Sequence, residues 1–165
     1  MKNVAVVGVG DCGTNSVLRL RKQGMDCEMI AVCDSERAEK IEGKGVVAVD
    51  SENADLLKLK ANTSTVFVIN GIGGKTGTFL APEIAKKVKE TGSRVVSIAF
   101  HPFPLEKERC AMVAGFVENM EQCADEMILV KNNDYVEKYP GKSMSEAFEL
   151  IDKDVYENII LKKGR

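Results

Sequence analysis

Short, uninterrupted apolar runs alternate along this chain with longer segments in which apolar residues recur at helical spacing. Six runs have the length and β-branched composition of strands: Val4–Val9, Met29–Val32, Val46–Val49, Val66–Ile69, Val95–Ala99 and Met127–Val130. Because these runs are continuous rather than alternating, they are typical of parallel strands that are buried on both faces. The segments between them predict helices at about residues 12–24, 51–60, 78–91, 106–124 and 143–160.

The alternation of strands and helices predicts an α/β fold, with a doubly wound, mainly parallel, Rossmann-like sheet of about six strands. Ser143 followed by Glu146 predicts a capping box at the start of the last helix. The chain has 165 residues, and no internal repeat, low-complexity tract or linker divides it. We therefore expect a single domain over residues 1–165.

The composition and charge of the chain exclude several classes of function. Lys and Arg number 23 against 25 Asp and Glu, a formal net charge of −2, which gives no electrostatic footprint for nucleic acid or an anionic membrane. No apolar run approaches the ~18 residues that a membrane-spanning helix needs. Five cysteines without a C-x-x-C pair argue against a disulfide framework and a zinc site. We expect a cytoplasmic protein with no nucleic-acid or membrane partner.

A first glycine-rich loop, Gly8-Val9-Gly10-Asp11-Cys12-Gly13, follows the first strand. Its G-x-G-x-x-G spacing permits a tight turn and brings backbone N–H groups at a helix N-terminus to a phosphate. Asp34 lies 21 residues after Gly13, where an NAD enzyme keeps its ribose-binding acid. This half of the chain therefore predicts a dinucleotide-binding oxidoreductase. The alternative is a plain turn, with Asp34 as a helix cap.

A second glycine-rich loop, residues 70–78, follows the fourth strand. Two such loops at the carboxyl ends of parallel strands face one crevice, and together they suit a mononucleotide whose phosphates are held from both sides. The Gly74-Lys75-Thr76 triplet is not part of a P-loop, because Ile69 occupies the position where that motif needs its first glycine.

These loops resemble those of the tubulin/FtsZ GTPases. Residues 71–82 are similar to that family's G-G-G-T-G-T-G signature and the A-A-P after it, and residues 8–15 resemble its first loop. Further matches follow in order: Pro102-Phe103 with Glu106 resembles a P-F-x-x-E loop, and Asn133-Asp134 resembles an N-D pair. Phe148 and Asp152 match a guanine-stacking aromatic and a guanine-binding acid. The resemblance covers about residues 3–34 and 64–155.

The resemblance implies a nucleotide-binding domain that holds GDP or GTP. The phosphate-binding residues it implies are Gly8, Gly10, Asp11, Cys12, Gly13, Gly73, Gly74, Lys75, Thr76, Gly77 and Thr78. The guanine- and ribose-binding residues it implies are Asn15, Glu106, Arg109, Asn133, Phe148 and Asp152. Asp11, beside the phosphates, is a candidate Mg²⁺ ligand, and capping of the first helix is its alternative role.

Hydrogen-bonding chemistry supports this interpretation. Guanine presents N1–H and an amine as donors and O6 and N7 as acceptors, so Asp152 suits the donors and the amides of Asn15 and Asn133 suit either kind of edge. Phe148 and Asp152 are four residues apart and share a helix face. Ordinary core packing is the alternative for Phe148. We interpret Cys12 as an inert loop residue and the lone His101 as structural.

Several positions depart from the family pattern. The stretch 35–63 is short and lacks the third phosphate loop, and Gly43-Lys44-Gly45 is either a remnant of that loop or a turn. Lys75 and Phe79 replace family glycines. Arg109 follows Glu106 by three residues, where the family spacing is four. We expect the charge of Lys75 to replace part of the missing loop; the alternative is that only its backbone N–H is used.

These observations together predict a guanine-nucleotide-binding protein that is at most a weak GTPase. The resemblance implies that hydrolysis and filament growth need acids from a second domain, which we do not expect to follow Arg165. The implied partners are a full-length tubulin/FtsZ-like protein, which this chain would cap or regulate in a cytoskeletal or cell-division role, or a second copy as a homodimer. The alternatives are an NAD(P)-binding oxidoreductase domain and a scaffold with a degenerate nucleotide pocket.

Overall fold

A computed structural model describes residues 3–163 of the chain. The strands are β1 Asn3–Val9, β2 Glu28–Cys33, β3 Val47–Asp50, β4 Thr63–Gly71, β5 Arg94–His101 and β6 Glu126–Lys131. The helices are α1 Gly10–Lys22, α2 Ser35–Ile41, α3 Lys75–Glu90, α4 Lys107–Cys110, α5 Val113–Glu121, α6 Asn132–Lys138 and α7 Met144–Lys162. A short 3-10 helix, Ser51–Leu56, follows β3.

The six strands form one parallel sheet in the order β3-β2-β1-β4-β5-β6. The predicted α/β fold with a doubly wound sheet is therefore confirmed. The chain runs outward from β1 to β3 and then returns to the other side of β1 with β4, so the direction of winding reverses between β1 and β4. A crevice opens at the carboxyl ends of the strands at such a reversal, which is where ligands bind in folds of this type.

Each face of the sheet is covered by its own hydrophobic core. On one face, Leu20 of α1 and Ile151 of α7 pack with Phe67. On the other face, Ile84 of α3 and Phe116 of α5 belong to a second buried cluster. Because side chains on both faces of every central strand are buried, the strands are continuous apolar runs in the sequence.

Two helices differ from the expectation because apolar periodicity does not define them. The pattern does not predict α2 or α6, which are seven residues each. Ile41 is the buried residue of α2, and the helix begins where the Asp34 carboxylate accepts the N–H of Arg37 at 2.8 Å. Its start is therefore set by capping chemistry rather than by an apolar face.

Two other predicted helices are shortened or divided. The segment 51–60 forms only the 3-10 helix, since Asn53 leaves helical φ/ψ values. The segment 106–124 is split into α4 and α5 at residues 111–112, where the Met112 N–H turns back to the Arg109 carbonyl at 3.0 Å. Among the described helices, none is long and apolar enough to cross a bilayer.

Candidate functional site

A cavity of about 740 Å³ lies at the carboxyl ends of the strands, at the reversal between β1 and β4. Its walls come from both glycine loops, the ends of β2 and β5, the residues that precede α4, the start of α6, and Phe148 of α7. The volume is within the range of ordinary small-ligand pockets, ~300–1,000 Å³. Seven parts of the chain therefore converge on one site.

The first glycine loop contributes two kinds of residue. Gly10, Asp11 and Cys12 line the cavity, whereas Gly8 and Gly13 lie beneath it. A Cβ on Gly8 would lie 2.2 Å from the Gly13 carbonyl oxygen, and a Cβ on Gly13 would lie 2.3 Å from that of Ile69. These two glycines allow β1, α1 and β4 to approach closely, so their part in the site is through packing.

The two loops touch one another. Gly10 has φ +75°, and a Cβ there would lie 3.0 Å from the Gly77 nitrogen. The helices that follow, α1 and α3, begin without a side-chain cap, at Gly10 and at Lys75. Their first N–H groups are therefore left without the usual side-chain acceptors at one shared crevice, an arrangement that suits an anion.

The second loop is held in shape by its own residues. Gly74, Lys75, Thr76 and Gly77 line the cavity. Thr78 is buried, and its hydroxyl accepts the Gly73 N–H at 2.7 Å, so it fixes the loop from inside. Lys75 is exposed at the first position of α3, with its side chain at the cavity wall.

Arg109 lies across the second loop. Gly73 has φ +105°, and a Cβ there would lie 2.4 Å from the Arg109 Cβ, so only glycine leaves room for that side chain. Glu106 fixes the arginine: its Oε1 lies 3.1 Å from Arg109 Nη1, and its Oε2 accepts the Phe103 N–H at 2.8 Å. The three-residue spacing between Glu106 and Arg109 therefore brings both residues to the cavity.

The other end of the cavity is occupied by aromatic, amide and guanidinium groups. The ring of Phe148 lines the cavity, 5.7 Å from the guanidinium carbon of Arg19, and the Asn15 side-chain oxygen accepts a hydrogen bond from Arg37. Asp152 is fully buried and does not reach the cavity wall. Its carboxylate accepts from the Ser16 hydroxyl at 3.1 Å and from Arg19 Nε. Burial raises the pKa of Asp152, against the opposing effect of these two hydrogen bonds.

The amide that reaches the cavity after β6 is Asn132 and not Asn133. Asn133 Nδ2 donates to the Glu137 carboxylate at 2.7 Å on the exposed side of α6. This predicted site residue therefore does not line the cavity. Asn132 is 7% exposed and lines the cavity, and its Oδ1 is buried with no hydrogen-bond partner. A buried acceptor without a partner points to a ligand donor at that position.

Four further candidate residues line the cavity. Burial raises the pKa of Cys12 to about 11, which keeps the thiol protonated and inert. His101 lines the cavity, with Nδ1 2.7 Å from the Pro102 carbonyl oxygen. Asp34 lines the cavity while it caps α2. Asp11 lines it too, although the described residues contain no group of three metal-ligating side chains.

A sheet with two glycine loops closed on one crevice defines a nucleotide-binding type of α/β domain. A family model described as "Tubulin/FtsZ family, GTPase domain" matches residues 48–140, more than half of the chain. The chain therefore belongs to the Tubulin/FtsZ family.

Individual relatives agree with this assignment. The chain is 27% identical over 179 residues to the cell division protein FtsZ 2 of Haloferax volcanii, covering 94% of this chain and 45% of that protein. Among solved structures, CetZ from Methanosaeta thermophila superimposes with a TM-score of 0.81 at 22% identity, covering 98% of this chain and 54% of that one. The GTPγS-bound protofilament of CetZ2 from H. volcanii gives 0.78 at 19% identity, covering 96% and 57%. The chain spans about half the length of the relatives it matches.

Proposed function

We propose that this chain binds a guanine nucleotide, GDP or GTP, in the cavity between its two glycine loops. The observation that carries the proposal is the meeting of these loops at Gly10 and Gly77, with two uncapped helix starts at one crevice. Membership of the Tubulin/FtsZ family supports guanine as the base.

The phosphates would lie over the loops. Gly10, Cys12, Gly74 and Thr76 line the cavity there and would offer backbone N–H groups, and Lys75 would bring positive charge to the same wall. Gly8, Gly13, Gly73 and Thr78 support these groups from beneath. Asp11 is the residue we propose for Mg²⁺, which would offset phosphate charge when bound.

The base and ribose would lie toward Phe148. The ring supplies a stacking surface, Asn15 and Asn132 supply amide groups, and Glu106 and Arg109 are the polar groups for the ribose side. The unpartnered Asn132 Oδ1 supports this placement, because it suits one of the donors that guanine carries. Asp152 lies behind this wall and accepts a hydrogen bond from Arg19.

The face that carries the nucleotide is also our proposed association surface, for a full-length relative or a second copy of the chain. Phe79 in α3 and Leu105 after β5 are 66% and 92% exposed, beside segments that line the cavity. Exposed large apolar side chains of this kind often mark protein interfaces. The CetZ2 relative was solved as a GTPγS-bound protofilament, which supports an association linked to nucleotide.

Calorimetric titration with GDP, ADP and NADH tests the proposed function. We expect GDP to bind and to raise the unfolding temperature, since a ligand at 100 times its Kd stabilises the native state by about 2.7 kcal/mol. ADP and NADH should bind at least about tenfold more weakly. Tight NADH binding without a response to GDP would instead support the oxidoreductase alternative, in which Asp34 holds a ribose. No response to any nucleotide would support a degenerate pocket.

A further inference from the structure

Strand β6 has the sequence of a central strand but lies at the edge of the sheet. Its middle, Met127–Val130, is a continuous apolar run, which is typical of a strand that is covered on both faces. Within the described residues, β6 pairs with β5 alone, and no strand continues the sheet on its outer side. None of the six side chains of β6 is buried, whereas six of the eight in β5 are. Apolar surface is therefore left open along this edge.

The opposite edge of the sheet is protected in a way that β6 is not. Strand β3 has only four residues, and its last residue, Asp50, caps the 3-10 helix that follows at once. Short edge strands and charged side chains both discourage pairing with another chain. Between Glu126 and Lys131, β6 has neither a charge nor a proline. The outward N–H and C=O groups of its backbone can therefore accept a further strand.

We propose that two copies of this chain join through β6, antiparallel and edge to edge, with Ile128 opposite Ile128 of the second copy. The two sheets then form one continuous sheet around a twofold axis, which is the commonest symmetry of soluble homo-oligomers. Directly opposite residues of an antiparallel pair lie on the same face of the sheet, so neighbouring symmetric registers differ by two residues in their opposite pairs.

Charge selects this register from its neighbours. With Ile128 opposite itself, Met127 lies opposite Leu129, and Asp125 lies opposite Lys131 of the second copy. Lys131 is exposed, and the Asp125 side chain is 36% exposed beside its ion pair with Lys89. Twofold symmetry makes two such pairs of opposite charge, one at each end of the joined strands.

The two neighbouring symmetric registers do not match opposite charges. They place Lys131 opposite Met127 or opposite Cys123 of the second copy. In the register that we propose, Glu126 lies opposite Val130, and its carboxylate remains in the ion pair with Arg94 of its own chain, at 2.7 Å. The proposed register therefore adds two charge pairs and leaves the existing ion pair in place.

This interface is separate from the surface that carries the nucleotide. Because the joined strands are antiparallel, the carboxyl ends of the two sets of strands, and with them the two cavities, lie at opposite ends of the continuous sheet. Both cavities stay open to ligand. We therefore expect the dimer to form with or without GDP, so a failure of this proposal and a failure of nucleotide binding are distinguishable.

Sedimentation and hydrogen exchange of the wild-type chain test the proposal without any variant. Between about 1 and 100 µM, we expect the mass to change from monomer to dimer, equally with and without GDP. Over the same range, the amides of β6 should become protected from exchange, whereas those of the other edge strand, β3, should not. A monomer at every concentration, or a dimer without added protection of β6, would overturn the proposal.

Cross-linking tests the register. Directly opposite Cβ atoms lie about 4.5–5.5 Å apart, close to disulfide distance, whereas diagonal neighbours are about 7–8 Å apart. Ile128→Cys should therefore form a disulfide-linked dimer under mild oxidation. Leu129→Cys is the matched control and should cross-link little more than the wild type, whose five cysteines are free. Cross-linking that is equal at the two positions contradicts the proposed register. Thermal unfolding checks that both variants fold, and the wild-type measurements stand if either does not.

A charge reversal tests the pairing of Asp125 with Lys131. Lys131→Glu should weaken the dimer about five- to thirtyfold, because two pairs of opposite charge become pairs of like charge. Lys22→Glu makes the same change at an exposed residue of α1 and should leave the dimer unchanged. An equal effect of both variants, or no effect of Lys131→Glu, would show that these charges do not face one another.

Discussion

Lys75 lies at the first position of α3, exposed to solvent and at the cavity wall. Its ammonium is a flexible point charge that does not need bidentate geometry to meet a phosphate. No residue between 35 and 70 lines the cavity in the part of the chain that the structure describes, so the segment between β2 and β4 supplies no cation there.

We therefore expect Lys75→Met to weaken GDP binding about two- to fivefold at low salt, with the difference shrinking at high salt as the charge is screened. Lys75→Gly should behave alike, because the backbone N–H remains in both variants. Lys86→Met, on the exposed side of the same helix, is the control. Calorimetry at two ionic strengths measures the effect. Equal affinities for all four proteins would mean that only the backbone at residue 75 is used.

Individual site residues could be predicted from the sequence only where spacing decides between candidates. Asn132 and Asn133 are adjacent amides, and the start of α6 at Asn132 turns one inward and the other outward. No spacing rule chooses between them before that start is known. The sequence does not identify Arg19 as a cavity residue for a different reason: its partner Asp152 is brought to it by the packing of α7 against α1. The one sequence feature that indicates Arg19 is its four-residue separation from Asn15, which places both side chains on the same face of α1.

At the scale of elements, the loop glycines differ in what surrounds them. Gly13 is packed against the backbone of β4, whereas Gly115 lies exposed within α5 with nothing within 4 Å of a Cβ. Gly13→Ala should lower the free energy of unfolding by about 1–3 kcal/mol or more, because neither the Ile69 carbonyl nor its strand can easily move away.

Gly115→Ala should instead raise the free energy of unfolding by about 0.5–1 kcal/mol, through helix propensity alone. Urea unfolding of both variants beside the wild type measures the two effects. A similar, small effect at both positions would show that Gly13 is not needed for the approach of α1 to β4.

Capping residues in the sequence predict the start of one helix correctly, and their absence leaves the starts of two others misplaced. The predicted capping box is confirmed: the Ser143 hydroxyl accepts the Glu146 N–H at 3.2 Å, and Glu146 Oε2 accepts the Ser143 N–H at 2.7 Å. These bonds hold the pKa of Glu146 below its usual range. The helices α1 and α3 begin two and three residues earlier than predicted, at Gly10 and Lys75, because no cap residue marks their first turns.

At the scale of the molecule, the class of fold follows from the sequence because both faces of the sheet are buried. Continuous apolar strands separated by helices leave few arrangements other than a doubly wound parallel sheet. The hydrophobic pattern does not determine the order of the strands. The reversal between β1 and β4 follows from how the crossovers pack. The two glycine loops point to that reversal, since both end strands that meet there.

The carboxylates of the cavity bear on whether a nucleotide bound there would be hydrolysed. Glu106 is engaged by Arg109 and by the Phe103 N–H, and Asp34 is engaged as the cap of α2. Asp11 is the remaining acid at the wall, on the phosphate side, where we propose that it serves Mg²⁺. Glu106 and Asp34 are thus not free to orient an attacking water, and Asp11 would be occupied if it serves Mg²⁺ as proposed. A positioned general base commonly contributes ~10²–10⁴-fold to a rate.

We therefore expect residues 1–165 by themselves to bind GTP but to turn it over slowly, at about one molecule per minute or less. We also expect no filaments from residues 1–165 alone, because they span about half the length of the relatives they match, among them the CetZ2 that was solved as a protofilament. Phosphate release and light scattering in GTP and Mg²⁺ measure both properties, with GDP as the control for scattering. Turnover of several GTP per minute, or scattering that appears only with GTP, would show that the cavity described here is sufficient for hydrolysis or assembly.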